Sequence, residues 1–138
     1  MDISKTVTMN ILDEKINHIN IVLASKSPRR QELLKNIFSD FKIEVREIDE
    51  TFPNSLKGGN IAQYISEQKA KAFLLDKRDD LIITADTIVC LEDIVLGKPK
   101  SHQEAYGMLR SLSGKTHTVF TGVCLLFKGK LTSFYDAT

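Results

Sequence analysis

The strongest constraint on this chain is a carboxylate placed inside an apolar run. The sequence from Leu81 to Pro99 reads LIITADTIVCLEDIVLGKP, and Asp86 stands between two strand-like segments. A buried ionised carboxylate must be paired with a cation or with hydrogen-bond donors, bind a metal, or be neutralised by a shifted pKa. A structural Asp tied to backbone amides meets this requirement, and so does a catalytic one, because perturbed carboxylates occur in both settings. The partners that the rest of the chain supplies decide between the two.

Length and charge narrow the classes of function. The chain has 138 residues, which suits one domain, and 42% of them are hydrophobic. The formal net charge is only +1, from 19 basic and 18 acidic residues. Nucleic-acid and membrane-surface binding usually need a basic patch, so we expect neither partner, and any recognition of anions must be local.

The ends and the cysteines suggest a compartment. Residues 1–18 are polar and weakly patterned, so we expect an N-terminal arm before a domain at 19–138. This segment lacks the continuous apolar stretch of a signal peptide, and no run is long enough for a transmembrane helix. Cys90 and Cys124 lie in apolar runs and are expected to be buried and reduced. The sequence therefore predicts a cytoplasmic protein.

A candidate anion site follows the first strand. Residues 19–24 form a β-branched run, and Ser25-Lys26-Ser27-Pro28-Arg29-Arg30 comes next. Ser27 and Pro28 are typical of a helix start, and we expect the helix to reach about Phe38. Free amides and the helix dipole favour an anion there, and arginine suits phosphate oxygens. The alternative is a capped surface helix whose arginines are solvated.

The middle of the chain offers two acids and a flexible-looking loop. Residues 42–48 alternate in polarity and predict a strand, which Asp49 and Glu50 end. Those acids can bind a divalent cation or form a solvated turn. The loop at 51–59 contains Pro53 and two glycines, and a helix capped by Asn60 is expected to run to Asp76.

Asp86 to Leu96 predicts a hairpin whose second arm leads into Gly97-Lys98-Pro99. A hairpin returns on itself, so Lys98 can lie near Asp86, although a plain surface turn explains the same residues. The pattern Ser101-x-x-Glu104 is a capping box, and Met108 and Leu109 of the helix behind it are expected to pack on the core.

The remaining segments complete a fold class. Residues 119–127 and 131–135 predict two strands joined by a turn at Lys128-Gly129. Strands and helices alternate first and hairpins follow, which indicates an α/β domain with a mixed β-sheet and flanking helices.

Several of these segments together resemble the Maf family of nucleoside triphosphate pyrophosphatases. The matching pieces, in chain order, are Leu23 to Arg30 with Glu32-Leu33-Leu34, Asp49-Glu50, Lys69-Ala70, Ala85-Asp86-Thr87, Gly97-Lys98-Pro99 and Ser113 to His117 before Thr121-Gly122. The resemblance implies a Maf/inosine triphosphatase-like fold with a cleft. It also implies hydrolysis of a nucleotide to its monophosphate and pyrophosphate with Mg²⁺ or Mn²⁺, and it allows a homodimer.

The resemblance also assigns roles to residues. Asp86 is expected to be the general base or to hold the water through a metal, and Glu50 to be a metal ligand. Lys69 and Lys98 are expected to neutralise negative charge. Ser25, Ser27, Arg29 and Arg30 are expected to cradle phosphate, and Arg29 and Thr87 match positions tied to base preference.

Ala85-Asp86-Thr87 resembles the branch of the family that acts on dTTP and UTP, because the branch that acts on 7-methyl-GTP usually carries Ser-Asp-Gln there.

A nucleotide-binding regulator of septum formation without hydrolysis is a second hypothesis, and an RNA-binding module is a third that the neutral charge disfavours. Family members are longer, with a Gly- and Gln-containing segment near their C-terminus, so we expect the C-terminal part of the domain to be missing here.

Overall fold

The computed structural model describes residues 19–92, 94–96, 101–112, 114 and 116–138. The expected N-terminal arm at 1–18 lies outside the described residues. The strands are β1 (Ile21–Leu23), β2 (Lys42–Ile43), β3 (Leu81–Leu91), β4 (Ile94–Leu96), β5 (His117–Phe127) and β6 (Lys130–Ala137). The α-helices are α1 (Pro28–Lys35), α2 (Gly59–Lys71) and α3 (His102–Leu112), and a 3₁₀ turn spans Leu74–Asp76.

The strands form one mixed sheet. Its order is β2-β1-β3-β5-β6, with β4 paired to the far end of β3. The β1 strand runs parallel to β2 and β3, whereas β3, β5 and β6 are antiparallel. The predicted mixed sheet is therefore confirmed, and β3 is its central strand.

Helices cover the two faces of the sheet because the side chains of β1 alternate. Val22 faces α2 and the 3₁₀ turn, where it shares a core cluster with Ala70 and Phe73. Ile21 and Leu23 point the other way and pack with Leu34 of α1. The α2 helix and the β1–α1 turn consequently approach β3 from opposite sides.

A glycine lets α2 lie unusually close to the sheet. A Cβ placed on Gly122 of β5 would lie 2.3 Å from the carbonyl carbon of Ala62 and 2.5 Å from the amide nitrogen of Gln63. Atoms in ordinary contact are about 3.5–4.0 Å apart. Gly122 is the register partner of Asp86, so this close crossing is beside the carboxylate that interrupts the apolar run.

The local predictions at helix ends are partly confirmed. Ser27 caps α1, its side chain accepting a hydrogen bond from the amide of Arg30, and Pro28 is the first helical residue. The α1 helix ends at Lys35, three residues earlier than predicted. Asn60 does not cap α2; the cap is Gly58 at φ 57°, a conformation that favours glycine.

The predicted strand at 42–48 is only two residues long. Its partner β1 has three residues, and the last main-chain bond runs from the amide of Glu44 to the carbonyl of Leu23. The chain then leaves the sheet, and residues 44–50 become a wall of the cavity described below.

The hairpins are confirmed. Val89 pairs with Leu96 across the β3–β4 turn, and Lys128 and Gly129 turn the chain at φ 49° and φ 79°. Ser101 caps α3 by accepting a hydrogen bond from the amide of Glu104 at 3.1 Å. The expected packing of α3 on the core is wrong for Leu109, whose surface is 68% exposed. No helix in the described ranges is long and apolar enough to cross a membrane.

Candidate active site

A lysine joins the two carboxylates that the sequence singled out. The Lys69 ammonium, near the end of α2, donates a hydrogen bond to Asp86 Oδ1 at 3.2 Å and another to the Ala85 carbonyl at 3.1 Å. The same nitrogen lies 3.3 Å from Glu50 Oε1. The Asp86 side chain is 14% exposed and that of Lys69 is 20% exposed, so this is a half-buried ion pair. Asp86 therefore has the cationic partner that its burial requires.

Strand and helix periodicities bring these residues together. Thr84 and Asp86 are two residues apart on β3 and so share a face, while Ser66 and Lys69 are three apart on one side of α2. The Thr84 hydroxyl donates to the Ser66 carbonyl at 2.5 Å, and Asp86 meets Lys69 one step further along. Two successive contacts thus fix the helix against the strand.

An arginine approaches from the other side. Arg30, in the first turn of α1, donates to the Ala85 carbonyl at 3.3 Å, to Thr87 Oγ1 at 2.7 Å and to Ser25 Oγ at 3.4 Å. Thr87 Oγ1 also lies 3.2 Å from Thr121 Oγ1, its register partner on β5. The carbonyl of Ala85 is therefore shared by two cations, one from each face of the sheet.

Burial and charge oppose each other at the pair. Burial raises the pKa of Asp86 above its ordinary value, and the attraction and hydrogen bond of Lys69 counteract part of that rise. Burial lowers the pKa of Arg30, and the nearby Asp86 counteracts it. A carboxylate with a raised pKa beside a fixed cation is typical of functional sites.

These groups border a cavity of about 560 Å³. Its walls come from the β1–α1 turn, the segment at 45–50 that left the sheet, and the end of α2. The polar and charged residues that line it are Ser25, Lys26, Ser27, Arg30, Arg46, Glu47, Glu50 and Lys69. Four of these side chains are basic, so the cavity suits an anionic ligand.

Comparison with known proteins places the chain in a family. A family model described as Maf-like protein matches residues 20–138. The chain belongs to the Maf-like protein family. The resemblance to the Maf family that the sequence motifs indicated is therefore confirmed.

Curated relatives are named dTTP/UTP pyrophosphatase. That of Flavobacterium psychrophilum is 43% identical over 129 residues, which are 93% of this chain and 66% of the relative. That of Bacteroides thetaiotaomicron is 48% identical over 112 residues, which are 80% of this chain and 58% of the relative. The Maf-like chain thus spans somewhat less than two thirds of the length of these relatives.

Solved structures share the fold at low identity. The Ham1 protein of Staphylococcus aureus matches with a TM-score of 0.53 and 17% identity, covering 86% of this chain and 69% of that one. The nucleoside-triphosphatase / dITP/XTP pyrophosphatase of Mycobacterium abscessus matches with a TM-score of 0.51 and 13% identity, covering 86% and 72%. The expected Maf/inosine triphosphatase-like fold is confirmed.

Most of the predicted site residues of this Maf-like chain meet at the cavity. Ser25, Ser27, Arg30, Glu50 and Lys69 line it, and Asp86 reaches it through Lys69. Arg29 is exposed, and it is Arg30 that contacts Thr87. The roles assigned to Arg29 and Thr87 stay predictions, and the predicted approach of Lys98 to Asp86 lies outside the described residues.

Sequence pattern alone did not single out two contributors. Lys69 is one of several lysines on α2 and was identified only by resemblance, whereas the structure makes it the direct partner of Asp86. Thr121 had no assigned role, although a cross-strand pair with Thr87 could have been inferred by aligning the two strands.

The donor set fits a magnesium-like ion. Asp86 Oδ1 and Glu50 Oε1 both lie within 3.3 Å of the Lys69 ammonium nitrogen, so the two carboxylates already share one cation. Within the described part of the chain, no group of three or more His, Cys, Asp and Glu side chains could hold a metal. Mg²⁺ suits such a sparse site because it is commonly bound by one or two carboxylates, with waters and substrate phosphates completing its shell.

Proposed function

We propose that this Maf-like chain is a nucleoside triphosphate pyrophosphatase that hydrolyses dTTP and UTP to the monophosphate and pyrophosphate. The observation that carries the proposal is the Lys69–Asp86 ion pair at the edge of a cavity with four basic side chains. Relatives at 43% and 48% identity named dTTP/UTP pyrophosphatase support the choice of substrate.

The turn between β1 and α1 would hold the phosphates. Ser25 and Ser27 line the cavity at the start of α1, where main-chain amides and the helix dipole favour an anion. Arg30 lines the same wall and has a rigid set of donors that matches phosphate oxygens. These groups would fix the triphosphate so that its reacting phosphorus is presented to the carboxylate side.

Asp86 would accept the proton of the attacking water. Its pKa is raised by burial, which brings a carboxylate closer to the optimum for a base near neutral pH. In the structure, Lys69 donates a hydrogen bond to Oδ1 and so orients the carboxylate before a metal binds. The Lys98 side chain would supply a positive charge in addition to that of Lys69, and it would stabilise the negative charge that develops on the leaving pyrophosphate.

Glu50 and Asp86 are the residues that would hold a divalent cation, Mg²⁺ or Mn²⁺. When bound, the cation would neutralise phosphate charge and lower the energy of the charged transition state. Thr87, held by Arg30, would lie at the base-recognition end of the site. The proposal includes a cytoplasmic location, consistent with the buried thiols of Cys90 and Cys124, and a homodimer.

A nucleotide panel tests the proposal. The chain is incubated with dTTP, UTP, 7-methyl-GTP and ITP in Mg²⁺ or Mn²⁺, and pyrophosphate is measured. We expect release from dTTP and UTP, and a loss of at least about 100-fold in kcat for Asp86→Asn with nucleotide binding retained. Asp40→Asn is the matched control, because Asp40 is exposed and outside the cavity lining.

Two outcomes of the nucleotide panel would change the proposed function. Preference for 7-methyl-GTP would move the chain to the other branch of the family. Tight nucleotide binding without hydrolysis, in the unsubstituted chain and in both variants alike, would favour the regulatory role in septum formation.

A further inference from the structure

The Lys69 ammonium occupies a position that resembles a cation site. Three oxygens surround it: the Ala85 carbonyl at 3.1 Å, Asp86 Oδ1 at 3.2 Å and Glu50 Oε1 at 3.3 Å. Of the three N–H donors of the ammonium, two donate to the Ala85 carbonyl and Asp86 Oδ1, while the Glu50 carboxylate forms an ion pair with the same nitrogen. In this arrangement the positive charge of Lys69 is balanced by the two carboxylates.

The same two carboxylates are the proposed ligands of the divalent cation. A magnesium ion binds oxygens at about 2.0–2.1 Å, so an ion shared by Glu50 and Asp86 would need the space between them that Lys69 now faces. An ammonium and a divalent cation repel each other strongly in a half-buried site. The two cations therefore compete for the same oxygens.

Burial makes the competition consequential. The side chains of Asp86 and Lys69 are 14% and 20% exposed, so water screens the attraction between them only weakly. The Glu50 side chain is 53% exposed and can reorient. If Lys69 left without replacement, Asp86 would be a half-buried carboxylate next to a second acid. Either cation, the ammonium or the metal, therefore stabilises the ionised carboxylates.

We propose that Lys69 is a tethered stand-in for the divalent cation and exchanges with it. Without metal, Lys69 is a positioning residue that keeps Glu50 and Asp86 together. When metal binds, Lys69 leaves the two carboxylates, and its N–H donors become available to the phosphates of the nucleotide. The exchange couples binding of the divalent cation to binding of the nucleotide, because phosphate oxygens replace the carboxylates as hydrogen-bond acceptors of Lys69. This inference rests on the metal assignment in the proposed function.

Binding of Mn²⁺ alone, with no nucleotide present, tests the exchange. The Mn²⁺ affinity of the 138-residue chain is measured by electron paramagnetic resonance of the free ion, and compared with those of Lys69→Met and Lys71→Met. Lys71 is two residues further along the same helix and exposed, so its variant carries the same charge change. We expect Lys69→Met to bind Mn²⁺ at least about 10-fold more tightly and Lys71→Met to match the unsubstituted chain.

Equal or weaker Mn²⁺ binding by Lys69→Met, or no binding by any of the three chains, would overturn the proposal. A second measurement covers the case in which Lys69→Met does not fold. The ¹⁵Nζ resonance of Lys69 is followed in the unsubstituted chain during titration with Mg²⁺, and we expect it to shift or broaden at saturation. A resonance that Mg²⁺ leaves unchanged would contradict the exchange.

Neither measurement depends on hydrolysis. Failure of the nucleotide panel would remove the proposed reaction but would leave the Mn²⁺ comparison intact. Conversely, a chain that hydrolyses nucleotide with Lys69 fixed on Asp86 would keep the proposed function and lose the exchange.

Discussion

Replacing Gly122 by alanine tests how the sheet positions the site. The added Cβ would lie 2.3 Å from the carbonyl carbon and oxygen of Ala62, both of them main-chain atoms of α2. Ordinary contact needs about 3.5 Å, so the helix must move by about 1 Å. Lys69 is seven residues beyond Ala62, about two turns along the same face, and moves with it.

Two magnitudes follow from that displacement. Overpacking of a well-packed core costs about 1–3 kcal/mol, so we expect the free energy of unfolding to fall by about 2 kcal/mol. A misplacement of about 1 Å at a catalytic group costs on the order of 100-fold in rate. The reduction should appear mainly in kcat, because the atoms nearest to the added Cβ belong to α2 and not to the β1–α1 turn that would bind phosphate.

Chemical denaturation and steady-state hydrolysis of UTP provide the two readouts. Gly107→Ala is the matched control, because a Cβ at Gly107 of α3 has no atom of the described residues outside the backbone of its own helix turn within 4 Å, and alanine favours a helix. Its stability should be unchanged or slightly higher. A Gly122→Ala chain with the stability and kcat of the unsubstituted protein would refute the argument that close approach of α2 positions Lys69.

Three further predictions concern single side chains. Ser27→Ala removes the cap of α1 and should lower the free energy of unfolding by about 1 kcal/mol in denaturant titrations; no change would show that the cap is dispensable. Arg30→Lys cannot hold the Ala85 carbonyl and Thr87 together, so KM for UTP should rise several-fold with little change in fold, whereas an unaltered KM would argue against Arg30 as a phosphate-side residue. Because the pKa of Asp86 is raised in the fold, its protonated form is favoured there, and its contribution to stability declines as pH rises from its ordinary pKa through the raised value. In thermal unfolding, Asp86→Asn should therefore gain stability relative to the unsubstituted chain as the pH rises above the ordinary pKa of an aspartate, and a difference that is flat or opposite in sign would contradict the raised pKa.

Local rules predicted the parts of the fold that depend on neighbours in sequence. The start of α1 follows from Ser27 and Pro28 because a cap is made within three residues. The β5–β6 turn follows from Lys128-Gly129 because glycine adopts the left-handed conformation needed there. The importance of Asp86 was evident from its place in an apolar run.

Features that depend on packing between segments far apart in sequence could not be predicted by local rules. The strand expected at 42–48 stops at Ile43 because its partner β1 is short, which the alternating pattern does not reveal. Leu109 has the helical spacing of a core residue, yet it is exposed because the described elements do not cover α3. The crossing of α2 over the sheet places Lys69 next to Asp86, and that crossing depends on Gly122.

In the proposed reaction, the site cleaves the nucleotide between its α- and β-phosphates. UTP is incubated with the chain and Mg²⁺ in water enriched in ¹⁸O, and the products are followed by ³¹P nuclear magnetic resonance. We expect uridine monophosphate and pyrophosphate in equal amounts, and the amounts of both should fall sharply in Asp86→Asn. Uridine diphosphate with inorganic phosphate, or no turnover of UTP or dTTP, would contradict it.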